Sequence, residues 1–230
     1  LVFADGTPDI VAYPMTRHGW GRLTRLLTLG NRRAEKGECL LHLADLIEHA
    51  QELLLIAVAD DEHEFLLRRL ARHAPLWIAA TMARRGDDRR RLARQQALAR
   101  RTGIPLLATC DALYATPEQR PLHDVISCIR EGTTIAEAGT RLLANAERHL
   151  KPAKEMARLF RDAPEAVDAA TDILSRIDFT LDELRYEYPH EPVPEGWEPQ
   201  AWLEHETLRL AREMRYPEGI PGKVQALLDA

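Results

Sequence analysis

Three short apolar runs decide the fold of this chain: Leu53–Ala59 (LLLIAVA), Leu76–Met82 (LWIAATM) and Ile104–Thr109 (IPLLAT). Each run has the length of a strand and is apolar along most of its residues, which is typical of strands covered on both faces. Between them lie Glu62–His73 and Asp87–Arg101, two segments with the composition of helices. Because strands and helices alternate with short connections, the sequence predicts an α/β fold with a parallel sheet or barrel.

Upstream of these runs, the sequence predicts a hairpin followed by two helices. Leu1–Ala4 and Ile10–Met15 read as strands, and the Asp-Gly pair at Asp5 is a common hairpin turn signal. Leucines then recur at helical spacing in Trp20–Leu29, and a second short helix is expected at Leu43–Ala50.

The second half of the chain has a helical pattern. Thr116 fits a helix N-cap, with proline at the first helical position and Gln119 completing a capping box. Thr134 and Glu137 form another candidate box. The proline-rich stretch Pro189–Pro199 predicts a strap, and we expect a boundary near residue 185. The other helices expected are Lys151–Phe160, Pro164–Ile177, Trp202–Met214 and one that begins at Lys223.

Composition excludes several classes of protein. The chain has 230 residues, of which 45% are apolar and 29% charged, which is too apolar for a disordered protein. The longest apolar run, Leu53–Ala59, is far shorter than the roughly 20 residues that a membrane-spanning helix needs. Cys39, Cys110 and Cys128 form no CxxC motif, which favours reduced thiols and a cytoplasmic location. The chain begins without methionine, a basic segment or a cleavage site, so we expect no signal peptide in these residues and interpret them as a piece of a longer protein.

Charge is unevenly distributed, although the net charge is only −5. Arg84–Arg101 contains eight arginines and two aspartates, whereas Asp162–Glu198 is strongly acidic. The basic segment is interpreted first as the solvated outer helix of an α/β layer and second as a phosphate-facing patch. In the second interpretation Arg89, Arg90 and Arg94 are the candidate nucleic-acid-binding residues. No aromatic residue lies among the arginines, so a base-stacking platform is not indicated.

One carboxylate lies where functional groups collect in α/β folds. Asp111 follows the strand predicted at Ile104–Thr109, at its carboxyl end. It is a candidate metal ligand or general base, and the alternative is an aspartate that caps the following turn. Elsewhere the nine histidines form no HxH pair, and the HExx run at His205 lacks its second histidine. The sequence also contains no P-loop, GxGxxG or GxSxG motif.

Six short motifs, in order along the chain, resemble the PHP domain of the bacterial C-family DNA polymerases and the start of the palm that follows it. The run Ile104–Tyr114 resembles the last PHP strand, and Tyr13–Cys39 is most similar to the error-prone branch of the family. With Ile104–Tyr114, the other five of the six ordered motifs are His123–Arg130, Leu150–Met156, Pro164–Ala166, Val193–Gly196 and Tyr216–Pro221, and Tyr13–Cys39 is a further match outside that count.

The resemblance implies a fold and an activity for the longer protein. The fold would be a partial, distorted TIM-like PHP barrel over residues 1–185, followed by a strap over 186–200 and a helical start of the palm over 201–230. The parent protein would be a DNA-directed DNA polymerase that copies past lesions in a damage response, with DNA, dNTPs and Mg²⁺. By the same resemblance its partners would include the sliding clamp and other mutagenesis proteins, with no membrane.

The sequence departs from the family at its metal site. The family's HxH strand would precede Leu1, and Leu113 stands where a histidine ligand is expected after Asp111. The stretch Val58–Asp60 lacks the Ser-Gly-Cys that commonly follows its strand, and His123 is the only nearby histidine in sequence. One aspartate cannot hold a trinuclear site. We therefore expect Asp111 to be a vestigial metal ligand. We also expect that this segment binds no metal or cofactor and contains no catalytic residue.

The residues leave competing interpretations. The first is a non-catalytic PHP scaffold within an error-prone polymerase, which the missing ligands favour. The second is a metal-dependent PHP phosphoesterase or proofreading exonuclease, and the same domain in a replicative polymerase III alpha subunit is a further alternative. The third, an unrelated α/β interaction module, would leave the order of the motifs unexplained.

Overall fold

A four-stranded mixed sheet organises the first part of the molecule. The computed structural model describes residues 1–185 and 192–228. Its strands are β1 (Ile10–Pro14), β2 (Leu53–Ala57), β3 (Leu76–Ala80) and β4 (Leu106–Ala108), in the spatial order β1-β2-β3-β4. β2, β3 and β4 run parallel, and β1 is antiparallel to β2. The predicted α/β alternation is therefore confirmed, whereas the described strands form a linear order that does not close into a barrel.

Helices make up most of the remaining structure. Short 3₁₀ turns at Asp61–His63 and Pro117–Gln119 lead into the helices that follow them. The helices of the described residues are α1 (Arg17–Arg33), α2 (Leu43–His49), α3 (Glu64–Leu70), α4 (Asp88–Thr102), α5 (Arg120–Arg130), α6 (Ile135–Ala138), α7 (Ala153–Leu159), α8 (Pro164–Ser175), α9 (Pro199–Leu210) and α10 (Gly222–Leu228). None of them is both long and apolar enough to pass through a bilayer.

The chain divides into two compact units, Leu1–Leu184 and Arg185–Ala230. The first unit contains the sheet and helices α1 to α8. The second contains α9 and α10, and three of its rings pack together: Trp197, Trp202 and His205, with centroid separations of 4.9 to 5.5 Å. The predicted strap lies partly outside the described residues, at positions 186–191.

Both faces of the sheet are buried, and each has its own apolar cluster. Because side chains alternate across a strand, Leu53 and Leu55 point to one face while Leu54 and Ile56 point to the other. On the first face the core includes residues of α1, α2, α3, α4 and α7 and of the start of α8. On the second face Ile173 of α8 joins the strand residues. Every residue of β2, β3 and β4 is buried, which explains why their sequences show no polar alternation.

Helix α1 is longer than its leucine pattern predicts. It begins at Arg17 because Thr16 caps it, accepting a hydrogen bond from the backbone N–H of Gly19 at 3.1 Å. The Thr16 hydroxyl in turn donates to the carboxylate of Glu52, which lies just before β2. The helix therefore starts against the turn that leads into the central strand, three residues before its first predicted residue.

The predicted N-terminal hairpin is wrong. Leu1 and Ile10 exchange two backbone hydrogen bonds, at 2.7 and 3.0 Å, but no strand forms over Leu1–Ala4. The Ala4 N–H instead donates to the carbonyl of Leu41. The Asp5 carboxylate accepts from the backbone N–H of Leu43 at 2.8 Å. Asp5 therefore ties the N-terminus to the start of α2 and does not close a hairpin turn.

Gly19 allows the start of α1 to approach the turn before β2. A Cβ at Gly19 would collide with the carbonyl oxygen of Glu52, a backbone atom, whereas a Cβ at Gly21 would meet nothing within 4 Å. Both glycines lie in α1, so they form a matched pair for testing whether this approach stabilises the fold.

We expect Gly19→Ala to lower the free energy of unfolding by about 1–3 kcal/mol, because the added methyl group forces backbone to move. Gly21→Ala should raise it by about 0.5–1 kcal/mol, because alanine is the better helix former where space is open. Urea denaturation of both variants gives the measurement. Equal effects of the two substitutions would contradict the close approach of α1 to Glu52.

Candidate functional site

Asp111 lies three residues after β4, at the carboxyl edge of the parallel strands, as the sequence predicts. Its backbone is in the left-handed region, with φ of 46°, and its N–H donates to the hydroxyl of Thr109 at 3.1 Å. A left-handed backbone is unusual for a residue other than glycine, and aspartate is among the side chains that tolerate it. The chain therefore turns sharply at Asp111 as it leaves the sheet.

The carboxylate of Asp111 is paired with Arg148. The Asp111 Oδ1 atom lies 2.7 Å from Nη2 of Arg148, and Nε of the same arginine donates to the Asp111 carbonyl oxygen at 2.9 Å. The backbone N–H of Leu113 donates to the carbonyl oxygen of Arg148 at 2.9 Å. Arg148 thus supplies a positive charge where a bound cation would otherwise supply it, and also fixes the path of the chain after β4.

The residues around Asp111 do not fit a metal centre. The part of the chain that the structure describes holds no group of three or more His, Cys, Asp or Glu side chains placed to bind one ion. His123, the nearest histidine in sequence, lies in α5 with its ring 5.7 Å from that of Tyr114 and Nδ1 4.0 Å from Asp124. Since Asp111 is already ion-paired, no catalytic step through a metal follows from this arrangement.

A cleft of about 640 Å³ opens at the carboxyl edge of the strands. Its apolar walls are side chains of the four strands, of the residues just after β2, and of α8. Its polar groups include Asp60, Asp111, Arg85 and Arg91. Ligand sites of parallel α/β folds form at this edge, because the strand ends and the loops after them meet there.

Most polar groups of the cleft are held by neighbours in the protein. Arg91 lies 2.8 Å from the carboxylate of Asp88 and donates to the carbonyl oxygen of Thr81 at 2.9 Å. Asp60 lies 2.8 Å from Nδ1 of His63 and caps the 3₁₀ turn that precedes α3. Arg85 is exposed, and its guanidinium makes no ion pair among the described residues. The cleft therefore has little charge that is free to act on a substrate.

The arginines of α4 and the loop before it divide into paired and unpaired groups. Arg84 contacts Glu147 and Glu155, and Arg101 contacts Asp61 and Glu64.

The three candidates for nucleic-acid binding are exposed and make no ion pair within residues 1–185 or 192–228: Arg89, Arg90 and Arg94. Arg89 and Arg90 line a shallow groove, while Arg94 lies beside a separate pocket whose walls include acidic residues. The free basic surface is therefore smaller than the net charge of the segment predicts.

A charged network lies on both sides of Arg148 in sequence, and no local motif predicts it. The side chain of Lys151 is only 3% exposed, and its Nζ lies 3.5 Å from Oε2 of Glu147. Arg84 bridges Glu147 and Glu155 from the loop after β3. Hydrogen bonds and charge from Arg158, followed by the charge of Arg84, hold the pKa of Glu155 at about 2. The network joins elements that are 60 or more residues apart, so spacing in the sequence does not reveal it.

Fold and site together define an α/β protein whose parallel strands end at a cleft where an ion pair occupies the position of the expected metal ligand. Comparison with curated proteins gives the relatives. The chain is 48% identical over 236 residues to the error-prone DNA polymerase of Rhodopseudomonas palustris (strain BisB5) and 49% identical over 237 residues to error-prone DNA polymerase 1 of Rhizobium meliloti (strain 1021). It is 48% identical over 232 residues to the error-prone DNA polymerase of Caulobacter vibrioides.

These matches cover 98 to 100% of the chain and 21% of each relative, so the chain spans about one fifth of the length of the curated relatives that it matches. No family model matches the chain. The resemblance to error-prone DNA polymerases is confirmed, and the chain is homologous to part of these proteins.

The Asp111–Arg148 pair predicts how substitutions at Asp111 change stability. Asp111→Asn should lower the free energy of unfolding by about 0.5–1.5 kcal/mol, because asparagine accepts the left-handed backbone but loses the charge-assisted bond to Arg148. Asp111→Ala should cost about 1 kcal/mol more, since alanine is strained in that conformation.

Chemical denaturation of the two variants beside the unchanged protein measures both effects. If the Asp111 carboxylate had no positive partner, the neutral asparagine would remove an uncompensated negative charge and raise the free energy of unfolding. An increase in stability on Asp111→Asn would therefore contradict the pairing with Arg148.

Proposed function

We propose that this chain is part of an error-prone DNA polymerase that extends primers past damaged bases, using DNA, dNTPs and Mg²⁺. The observation that carries the proposal is the identity of 46 to 49% to proteins of that name, which extends over 90% or more of the chain. Such a protein acts on DNA, and bacterial DNA lies in the cytoplasm, so we propose a cytoplasmic location. The sliding clamp and other mutagenesis proteins are proposed partners of the whole protein on the strength of the family resemblance alone.

Within that polymerase, we assign residues 1–185 the role of a non-catalytic scaffold of the PHP type. The parallel order of β2, β3 and β4 and the cleft at their carboxyl edge are compatible with part of a distorted barrel. The ion pair of Asp111 with Arg148 supports the scaffold over a phosphoesterase or exonuclease, because it neutralises the one candidate ligand. Residues 186–200 would form the connecting strap and residues 201–230 the start of the palm, whose catalytic carboxylates would lie elsewhere in the protein.

Primer extension tests the proposal directly. A longer protein that contains this chain, with the length of the relatives, should extend a primer in the presence of dNTPs and Mg²⁺. The 230-residue chain should not, because by the family resemblance the palm carboxylates that hold two Mg²⁺ ions lie outside these residues. Asp111→Asn in the longer protein should leave the extension rate within about twofold, as expected for a residue outside the reacting centre. Extension by the 230-residue chain, or none by the longer protein, would contradict the proposal.

DNA binding by the 230-residue chain should be weak, non-specific and sensitive to salt. Replacing Arg89, Arg90 and Arg94 together by glutamate should weaken it about tenfold or more at low salt, because each arginine that contacts a phosphate releases a counterion. Fluorescence anisotropy with a labelled oligonucleotide over a range of salt concentrations gives the affinity and its salt dependence.

The matched control replaces three exposed arginines of α1, Arg17, Arg25 and Arg32, by glutamate, which changes the net charge by the same amount. It should weaken binding less than the α4 variant if the α4 surface makes the contacts. Tight binding that responds neither to salt nor to the α4 substitutions would contradict this interface. Equal losses of affinity in both variants would also contradict it, because net charge alone would then explain the binding.

Metal binding separates the scaffold from the phosphoesterase. We expect no stoichiometric Zn²⁺, Mn²⁺ or Mg²⁺ in the 230-residue chain, because structural zinc needs about four ligands and Asp111 already has a cationic partner. Elemental analysis after dialysis, together with a phosphomonoester assay in Mn²⁺, gives the measurement. One bound metal per chain that disappears in Asp111→Asn would identify a live site and favour the phosphoesterase.

A further inference from the structure

Helix α5 exposes an apolar stripe to solvent. Leu122, Val125, Ile126 and Ile129 are 61, 42, 56 and 75% exposed. They lie at positions i, i+3, i+4 and i+7, so they form one continuous face along about two turns of the helix. Ile135, at the start of α6, is 56% exposed and lies close behind in sequence.

The inner side of the same helix is the polar one. Ser127 and Cys128 are buried, and the side chain of Asp124 is only 15% exposed. Asp124 lies 3.4 Å from Nε of Arg120, and the Arg120 guanidinium also donates to the carbonyl oxygen of Leu143. A helix on the surface of a soluble domain normally has the opposite arrangement, with its apolar stripe turned to the core. The polarity of α5 therefore fits a helix that is covered on both sides.

We propose that this stripe, the outer face of α5, is the docking surface for an apolar helix of the same polypeptide, from the part of the polymerase outside these 230 residues. The inference rests on the proposed function, because it requires the longer protein. The stripe is about 10 Å long and about two side chains wide. These dimensions match the contact that a single crossing helix makes.

Area and length favour this occupant over a free partner or a second copy of the chain. The four side chains offer roughly 400 Å² of surface, about half of what one partner contributes to a specific interface between free proteins. A tethered segment needs less area, because a short linker provides an effective concentration in the millimolar range. The relatives are about five times as long as this chain, so ample sequence exists outside it to supply the segment.

Thiol labelling compares the exposure of α5 in the two lengths of protein. Ile129→Cys reports on the stripe, and Phe65→Cys is the matched control, because Phe65 is 76% exposed on α3, away from it. Both are made with Cys39→Ser and Cys110→Ser, which leaves the buried Cys128 as the one native cysteine of the 230 residues, and labelling at positions 129 and 65 is read on their own peptides by mass spectrometry. The rate of reaction with a maleimide dye is measured in the 230-residue chain and in the longer protein.

In the 230-residue chain the thiols at positions 129 and 65 should react at similar rates. In the longer protein we expect the thiol at position 129 to react at least tenfold more slowly, with the control unchanged. Adding Ile126→Asp to the longer protein should restore fast labelling at position 129, because a carboxylate within the contact opposes packing.

Fast labelling at position 129 in the longer protein would overturn the proposal. Slow labelling already in the 230-residue chain would overturn it as well, and a dependence on protein concentration would then identify a second copy as the occupant. Primer extension by the same preparations is measured separately. Protection at position 129 without extension therefore counts against the polymerase function alone, and extension without protection counts against the docking surface alone.

Discussion

Burial of both faces of a narrow parallel sheet is the constraint on which the rest of the first unit depends. Every residue of β2 is buried, so apolar layers must cover the strand from two sides. α1 to α4, α7 and the start of α8 supply one layer, and Ile173 farther along α8 contributes to the other. Because the cover on the second face is narrower, the cleft opens there, at the edge where the strands end. The position of the candidate site is thus a consequence of how the sheet is covered.

Most of the charged side chains at that edge are paired within the protein, and Arg85 is the exception among the described residues. Asp111 neutralises Arg148, Asp88 neutralises Arg91, and Asp60 lies against His63. In a two- or three-metal site, carboxylates and histidines converge on cations, and the ions compensate the clustered negative charge. At this edge the positive charge that compensates the carboxylates comes from arginine side chains of the protein itself. This pairing is the physical basis of the scaffold role proposed above.

Local pattern predicted the elements of the fold, but not the contacts between distant segments. The apolar runs and the capping box at Thr116 and Gln119 identified strands and helix starts within a few residues, because each signal is contained in one element. The hairpin at Asp5 failed because the side chain bonds to Leu43, 38 residues later. Arg148 escaped prediction for the same reason, since nothing in the sequence near Asp111 indicates its partner. The motif at His123–Arg130 resembles the polymerase family, but its spacing does not show which side of α5 faces inward.

The inverted polarity of α5 and the ion pair of Asp111 are connected through one stretch of chain. Arg148 holds Asp111 and receives the N–H of Leu113, and Tyr114 then bridges to His149 while its ring packs against His123 of α5. Through the Tyr114–His123 ring contact, α5 packs against the same segment that pairs with Asp111. Its buried polar side faces inward at this contact, and its apolar side is exposed. The same stretch of chain thus pairs with the carboxylate at the strand edge and contacts the helix whose apolar face is exposed.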